Sequence, residues 1–177
     1  MIKLKQLLKE SLSKMVFSKS IKPKHKKRMN IETKMFPSNP KLTMTPPPAN
    51  DSNETRTELF KLLAYNNGVI DRPMVKEYDD LIKPFMEPIE KYNVDVTKDD
   101  LQKVVDEAGK FALKIKYKYN RPRPYQIADH YGIEDFKRHE LDTANTPSYP
   151  SGHALQGRLI GLILTDKDPK HQNEYMA

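Results

Sequence analysis

Leu101, Val104, Val105, Ala108, Phe111, Ala112 and Ile115 recur with the period of an α-helix for about four turns, and Thr97-Lys98-Asp99-Asp100 supplies an opening cap. A second helical pattern follows Asp51 and Ser52, either of which can cap it. It carries Leu59, Phe60, Leu62, Leu63 and Tyr65 as apolar contacts up to the stop at Asn66-Asn67-Gly68. Met74 to Tyr92 predicts one or two short helices, broken or bent near Pro84 and Pro88. His153 to Leu164, with Leu155, Leu159, Ile160, Leu162, Ile163 and Leu164, predicts a buried helix, and Asp168-Pro169 has the form of a cap and first position for another. Residues 126–149 read mainly as loop. No stretch alternates with the period of two that a strand needs, and no internal repeat stands out, so the predicted fold class is all-α.

The first 45 residues follow a different pattern. Residues 1–17 place Leu4, Leu7, Leu8, Leu12, Met15 and Val16 on one broad helical face with most lysines elsewhere. That pattern suits a basic amphipathic helix on a membrane surface or partner, and equally a solvated, partly helical extension. Ser18 to Asn30, containing KPKHKKR, reads as a flexible basic linker. Pro37, Pro40 and Pro46-Pro47-Pro48 then rule out helix and predict an extended surface run. The expected organisation is an extension and linker over residues 1–45 and a helical domain over 46–177.

Charge sharpens that division. Residues 1–30 hold ten Lys and Arg against Glu10 alone, a net of +9 in a chain total of +7, which leaves residues 31–177 at −2. The body is therefore nearly neutral, which argues against nucleic-acid binding by the domain as a whole. The chain has no cysteine, so disulfides and thiolate metal sites are excluded. Met15-Val16-Phe17 is the longest apolar run near the start, too short for a signal-peptide core or a membrane span. By default this reading gives a soluble, cytoplasmic protein.

Two segments carry candidate chemistry. Ser151-Gly152-His153 lies where a loop turns into the apolar helix. Backbone N–H groups at a helix N-terminus favour an anion, and Gly152 lacks the Cβ that would hold an oxyanion off the backbone. Ser151 can donate its hydroxyl and its N–H, and His153 stands where it can give or take a proton. The bland alternative is a capping histidine that satisfies a carbonyl. Upstream, Lys116 to Tyr125 reads KYKYNRPRPY. Lys116 and Lys118 each lie about 80° from the centre of the apolar stripe, on opposite edges, and Lys114 about 120° away. Either of the first two can reach a cleft beside the core, whereas Lys114 faces water. Pro122 and Pro124 end the helix and push Arg121 and Arg123 extended. The alternative here is a solvated basic cluster complementing a helix C-terminus. His25, His130, His139 and His171 lack metal-ligand spacing and read as surface residues, and the sequence has no HExxH, calcium loop or Gly-rich phosphate loop.

Lys116-x6-Arg123-Pro124, followed by Pro150-Ser151-Gly152-His153, resembles the first two signatures of the type 2 phosphatidic acid phosphatase superfamily. Within it the chain is most similar to the soluble non-specific bacterial acid phosphatases: Arg121-Pro122-Arg123-Pro124-Tyr125, Ser148-Tyr149-Pro150 and the proline-rich lead-in Pro46 to Ser52 all have their form. Lys114 with Arg121-Pro122 also satisfies Lys-x6-Arg-Pro, but the helical-face argument and Tyr125 select Lys116 with Arg123. The resemblance implies a helical bundle of the acid phosphatase and vanadium haloperoxidase type, acting on phosphate-ester small molecules without a metal. It implies that Lys116, Arg123, Ser151 and Gly152 bind phosphate oxygens and that His153 is general acid to the leaving group. A second histidine, in a third motif Ser-Arg-x5-His-x3-Asp, attacks phosphorus to give a phosphohistidine that water hydrolyses. No Ser-Arg follows His153, so the reading expects a truncated member lacking the C-terminal helices and the nucleophile, with little or no turnover. Soluble members are usually periplasmic or secreted, which sits against the default compartment. Two other readings compete: a non-catalytic protein binding phosphate or a membrane surface through residues 1–30, and a vanadium-dependent haloperoxidase.

Overall fold

Every regular element is helical in the computed structural model, which describes residues 11–38, 40–41, 43–67, 79–134, 136 and 141–176. The α-helices among the described residues are α1 (Pro23–Met29), α2 (Asn53–Asn67), α3 (Lys83–Lys91), α4 (Lys98–Tyr119), α5 (Pro124–Ile127), α6 (Gly152–Lys167) and α7 (Gln172–Tyr175). Short 3-10 turns at Ala128–Tyr131, Asp142–Ala144 and Pro169–His171 complete the set, so the segment 126–149 holds helical turns beyond the expected loop. None of these helices is long and apolar enough to cross a membrane. The chain divides into two compact units, each assembled from three separate stretches of sequence.

The first unit comprises Met1–Ile21, Thr43–Val75 and Ile115–Pro150. Its core is Leu12, Leu59, Ile127, Ala128 and Ile133, edged by Met15, Leu63, Tyr131 and Phe136. Ser52 caps α2 by accepting the Thr55 N–H at 3.2 Å. Of the apolar residues expected to pack from α2, Leu59 is buried, whereas Phe60, Leu62 and Tyr65 are exposed. One face of a helix suffices to close so small a core, and the rest meets water. The described part of the N-terminal segment is not a free extension. The Asn50 amide donates to the Leu12 and Met15 carbonyls at 3.2 and 2.8 Å, and the Asn120 amide donates to the Ser18 carbonyl at 2.7 Å. Leu12 is consumed by this core instead of facing a membrane or partner, and Leu4, Leu7 and Leu8 lie outside the described residues.

The second unit comprises Lys22–Leu42, Lys76–Lys114 and Ser151–Ala177. Ile82, Ile89, Leu101, Val104, Ile160, Leu164 and Tyr175 form its core. Thr97 and Asp100 cap one another at the head of α4: the Asp100 N–H donates to the Thr97 hydroxyl oxygen and the Thr97 N–H to the Asp100 carboxylate, both at 3.2 Å. The Thr97 hydroxyl, Lys103 and the Thr97 N–H together hold the Asp100 carboxyl at about 2. Pro84 sits in the first turn of α3, where its missing N–H costs nothing, and Pro88 lies inside a helix that continues past it to Lys91. The part of the expected 74–92 pattern before Asp79 lies outside the described residues.

Every residue of α4 from Glu107 to Leu113 is buried, although only one side carries the apolar stripe. The other side is covered by the segment expected to be a flexible linker. Glu107 accepts the backbone N–H groups of Lys34, Met35 and Phe36 at 2.8, 2.9 and 3.1 Å, and Lys110 donates to the Ile31 carbonyl at 2.7 Å. Phe36 meets Phe111 edge-on. The Arg28 guanidinium lies so close to Gly109 that an added Cβ would stand 2.5 Å from it, and it reaches Asp106 at 3.5 Å. A charge run reads as solvated in a sequence because nothing local marks the Asp106 and Gly109 that Arg28 meets.

Burial alone would raise the Glu107 carboxyl, but its three backbone N–H partners outweigh that and hold it below its ordinary 4.5. Its contribution to stability is therefore present at neutral pH and lost as pH falls through that lowered value. Glu107→Ala leaves three N–H groups without their acceptor and is expected to cost about 2–3 kcal/mol in urea unfolding, with amide exchange accelerating at residues 34–36. Gly161 is a second sensitive point, since a Cβ there would lie 2.5 Å from the Tyr175 carbonyl oxygen and 2.8 Å from the Met176 sulfur. Gly161→Ala is expected to destabilise by about 1–3 kcal/mol, read as a lowered Tm.

Candidate functional site

In the first unit the Lys116-to-Arg123 segment is fixed by backbone chemistry. Asn120, at φ 48°, closes the end of α4 and donates its N–H to the Lys116 carbonyl at 2.7 Å. Arg123 is extended, and its N–H donates to the Gln126 side-chain oxygen at 2.8 Å as α5 begins at Pro124. Ser148 ties the downstream loop to this stretch, donating its N–H to the Arg121 carbonyl at 3.0 Å and its hydroxyl to the Pro122 carbonyl at 2.7 Å. Tyr149 donates to the Thr45 carbonyl at 2.6 Å, which anchors the proline-rich lead-in to the same loop.

Lys116 and Arg123 meet on that loop. The buried Lys116 ammonium donates to the Pro147 carbonyl at 2.7 Å; Arg123 Nε donates to the Thr146 carbonyl at 2.8 Å, and its Nη2 reaches the Thr146 hydroxyl at 3.4 Å. Burial first, and then the positive charge of Arg123, pushes the Lys116 ammonium down to about 8. Lys114 and Lys118 are both exposed. Arg121 is engaged elsewhere, at 2.6 Å from the Glu58 carboxylate and 3.3 Å from the Thr55 hydroxyl. Among the described residues no carboxylate pairs with Lys116.

In the second unit Ser151, Gly152 and His153 open α6. The Ser151 hydroxyl oxygen accepts the Ala154 N–H at 3.2 Å, an N-cap that leaves its proton free to donate elsewhere. His153 stands in the first turn, 40% exposed, with Nε2 at 3.5 Å from both the carboxylate and the carbonyl oxygen of Asp79. Asp79 was not marked by the sequence, because no spacing rule connects residues that far apart in the chain. Gln156 donates to the Val105 carbonyl at 2.8 Å, fixing the rotation of α6 on α4 within this unit.

The remaining histidines divide. His130 is exposed as expected, and His139 lies outside the described residues. His25 is buried instead of lying at the surface, and burial, with Lys24, Lys22 and Arg28, lowers its affinity for a proton. His171 is likewise engaged, stacked on Tyr92 at 3.6 Å with Nδ1 at 2.6 Å from Asp168. No protein-family model, curated protein or solved structure matches the chain.

Lys116 is a stability liability as well as a candidate ligand. The unfolded chain holds its proton to about 10.5 and the folded chain only to about 8. The fold therefore carries a penalty of about 2–4 kcal/mol below pH 8, relieved as pH rises from 8 toward 10.5. Lys116→Met is expected to unfold at higher urea than wild type at pH 7, by about 1–3 kcal/mol, with the difference shrinking by pH 10. A variant less stable at pH 7 would mean that the bond to Pro147 outweighs the burial cost.

Proposed function

We propose that this chain follows the phosphomonoesterase pattern: Lys116 and Arg123 bind phosphate oxygens, Ser151 and Gly152 add hydrogen bonds, and His153 donates the proton to the leaving group. The observation that carries this reading is the burial of Lys116 beside Arg123. Burial and the nearby Arg123 charge both weaken the hold of Lys116 on its proton, and a phosphate dianion supplies an opposite charge for that ammonium. A dry, carbonyl-lined setting strengthens each charge-assisted bond to such an anion. The order Lys-x6-Arg-Pro then Pro-Ser-Gly-His supports the same assignment, and the Asp79 carboxylate near His153 suits a histidine that must carry a proton.

The pattern's attacking histidine belongs to Ser-Arg-x5-His-x3-Asp, which this sequence does not contain. Binding, more than turnover, is therefore the property to measure. Calorimetric titration with inorganic phosphate should show binding at pH 6–7 that weakens as pH rises through 8, where free Lys116 loses its proton. Lys116→Met and Arg123→Ala should each weaken it by about tenfold or more, from the loss of one charge-assisted bond, and Lys114→Ala should leave it unchanged. Binding indifferent to Lys116, or none at millimolar phosphate, would refute the reading. Robust hydrolysis of a chromogenic phosphate ester would show that another group serves as nucleophile.

A further inference from the structure

The charge run KPKHKKR is not a tail. Helix α1 turns His25 inward and exposes Lys22, Lys24, Lys26, Lys27 and Arg28 around its outer surface. Its position in the second unit is fixed by Arg28 against Asp106 and Gly109, and just downstream by Lys110 on the Ile31 carbonyl and Glu107 on the N–H groups of residues 34–36. Among the described residues Arg28 has an acidic partner, whereas no carboxylate pairs with Lys22, Lys24, Lys26 or Lys27. Four ammonium groups on two turns, with no carboxylate partner among the described residues and held by a folded body, form a fixed positive surface.

Its chemistry favours one kind of partner. Residues 18–30 contain no aromatic side chain, so there is no platform on which unpaired bases could stack. The free cations are all lysines, which act as hydrated point charges; the one arginine, the residue suited to bidentate reading of base edges, is turned to Asp106. The exposed cations of α1 span only two turns, a patch too small to cover a duplex-binding face. A plane of phosphate headgroups asks only for a local cluster of lysines.

We propose that the outer surface of α1 attaches the protein electrostatically to a bilayer of anionic phospholipid. This goes beyond the phosphate-ester reading and does not rest on it. Attachment by charge alone is reversible and salt-sensitive, and each lysine contributes roughly fivefold to the partition constant. The test is co-sedimentation of the full chain with vesicles of phosphatidylcholine containing about 30% phosphatidylserine, or none, at about 0.1 M and 0.5 M salt. Binding is expected only with phosphatidylserine at the lower salt, and Lys22→Gln, Lys24→Gln, Lys26→Gln and Lys27→Gln combined should reduce it about a hundredfold or more. An unchanged melting curve would show that these exposed substitutions leave the fold intact, and Lys114→Ala, an exposed control away from α1, should bind as wild type does. Equal binding to pure phosphatidylcholine, no binding at either salt, full binding by the combined variant, or tighter binding to duplex DNA than to the anionic vesicles would each overturn the proposal.

Discussion

The carboxylate of Glu107 is the constraint on which the second unit depends. One side chain satisfies three consecutive backbone N–H groups, those of Lys34, Met35 and Phe36. Without it those three donors would lose their acceptor at a part-buried contact with α4. The grip converts a proline-punctuated run into a wall: Phe36 reaches the apolar core and Phe111, and Lys110 closes the other end on the Ile31 carbonyl. The display of lysines on α1 follows from the same anchor, since a helix of seven residues has too few internal bonds to persist alone.

Lys110 and Lys116 show how the setting of a buried cation decides its electrostatic cost. Both ammonium groups donate to a backbone carbonyl. Lys110 works beside Glu107, an opposite charge that offsets its burial. Lys116 has Arg123 as its charged neighbour, which adds to the burial cost instead of relieving it. In the fold that arrangement is held by the bond from the Lys116 ammonium to the Pro147 carbonyl.

The α4 period and the Thr97 cap were legible because each is local: the residues that make the signal also satisfy it. The exposure of Lys114 followed from the same helical geometry. What escaped the sequence is long-range pairing. Glu107 lies on the flank of an apolar stripe and reads as an ordinary solvated acid until residues 34–36 arrive. His25 sits inside a run of lysines and reads as surface, yet the fold buries it. Asp79 carries no mark that it faces His153. Phe60, Leu62 and Tyr65 erred in the other direction, since apolar character shows what can be buried and not whether there is a core to bury it.

The Arg-Pro-Arg-Pro stretch joins both kinds of information. A residue before proline is forced extended, and successive side chains of an extended run leave on opposite sides, which would send residues two apart to the same side. Arg121 and Arg123 nevertheless find different partners, because the stretch is not a free strand. Asn120 begins it in a left-handed turn, Ser148 bonds the carbonyls of Arg121 and Pro122, and α5 captures the N–H of Arg123. Arg121 is thereby delivered to Glu58 and Thr55, where its charge is matched, and Arg123 to Thr146, beside a lysine. Two arginines that each precede a proline are thus carried to different surroundings by the bonds of the backbone around them. Glu58 and Thr55 hold Arg121 to α2, and Thr146 holds Arg123 beside Lys116.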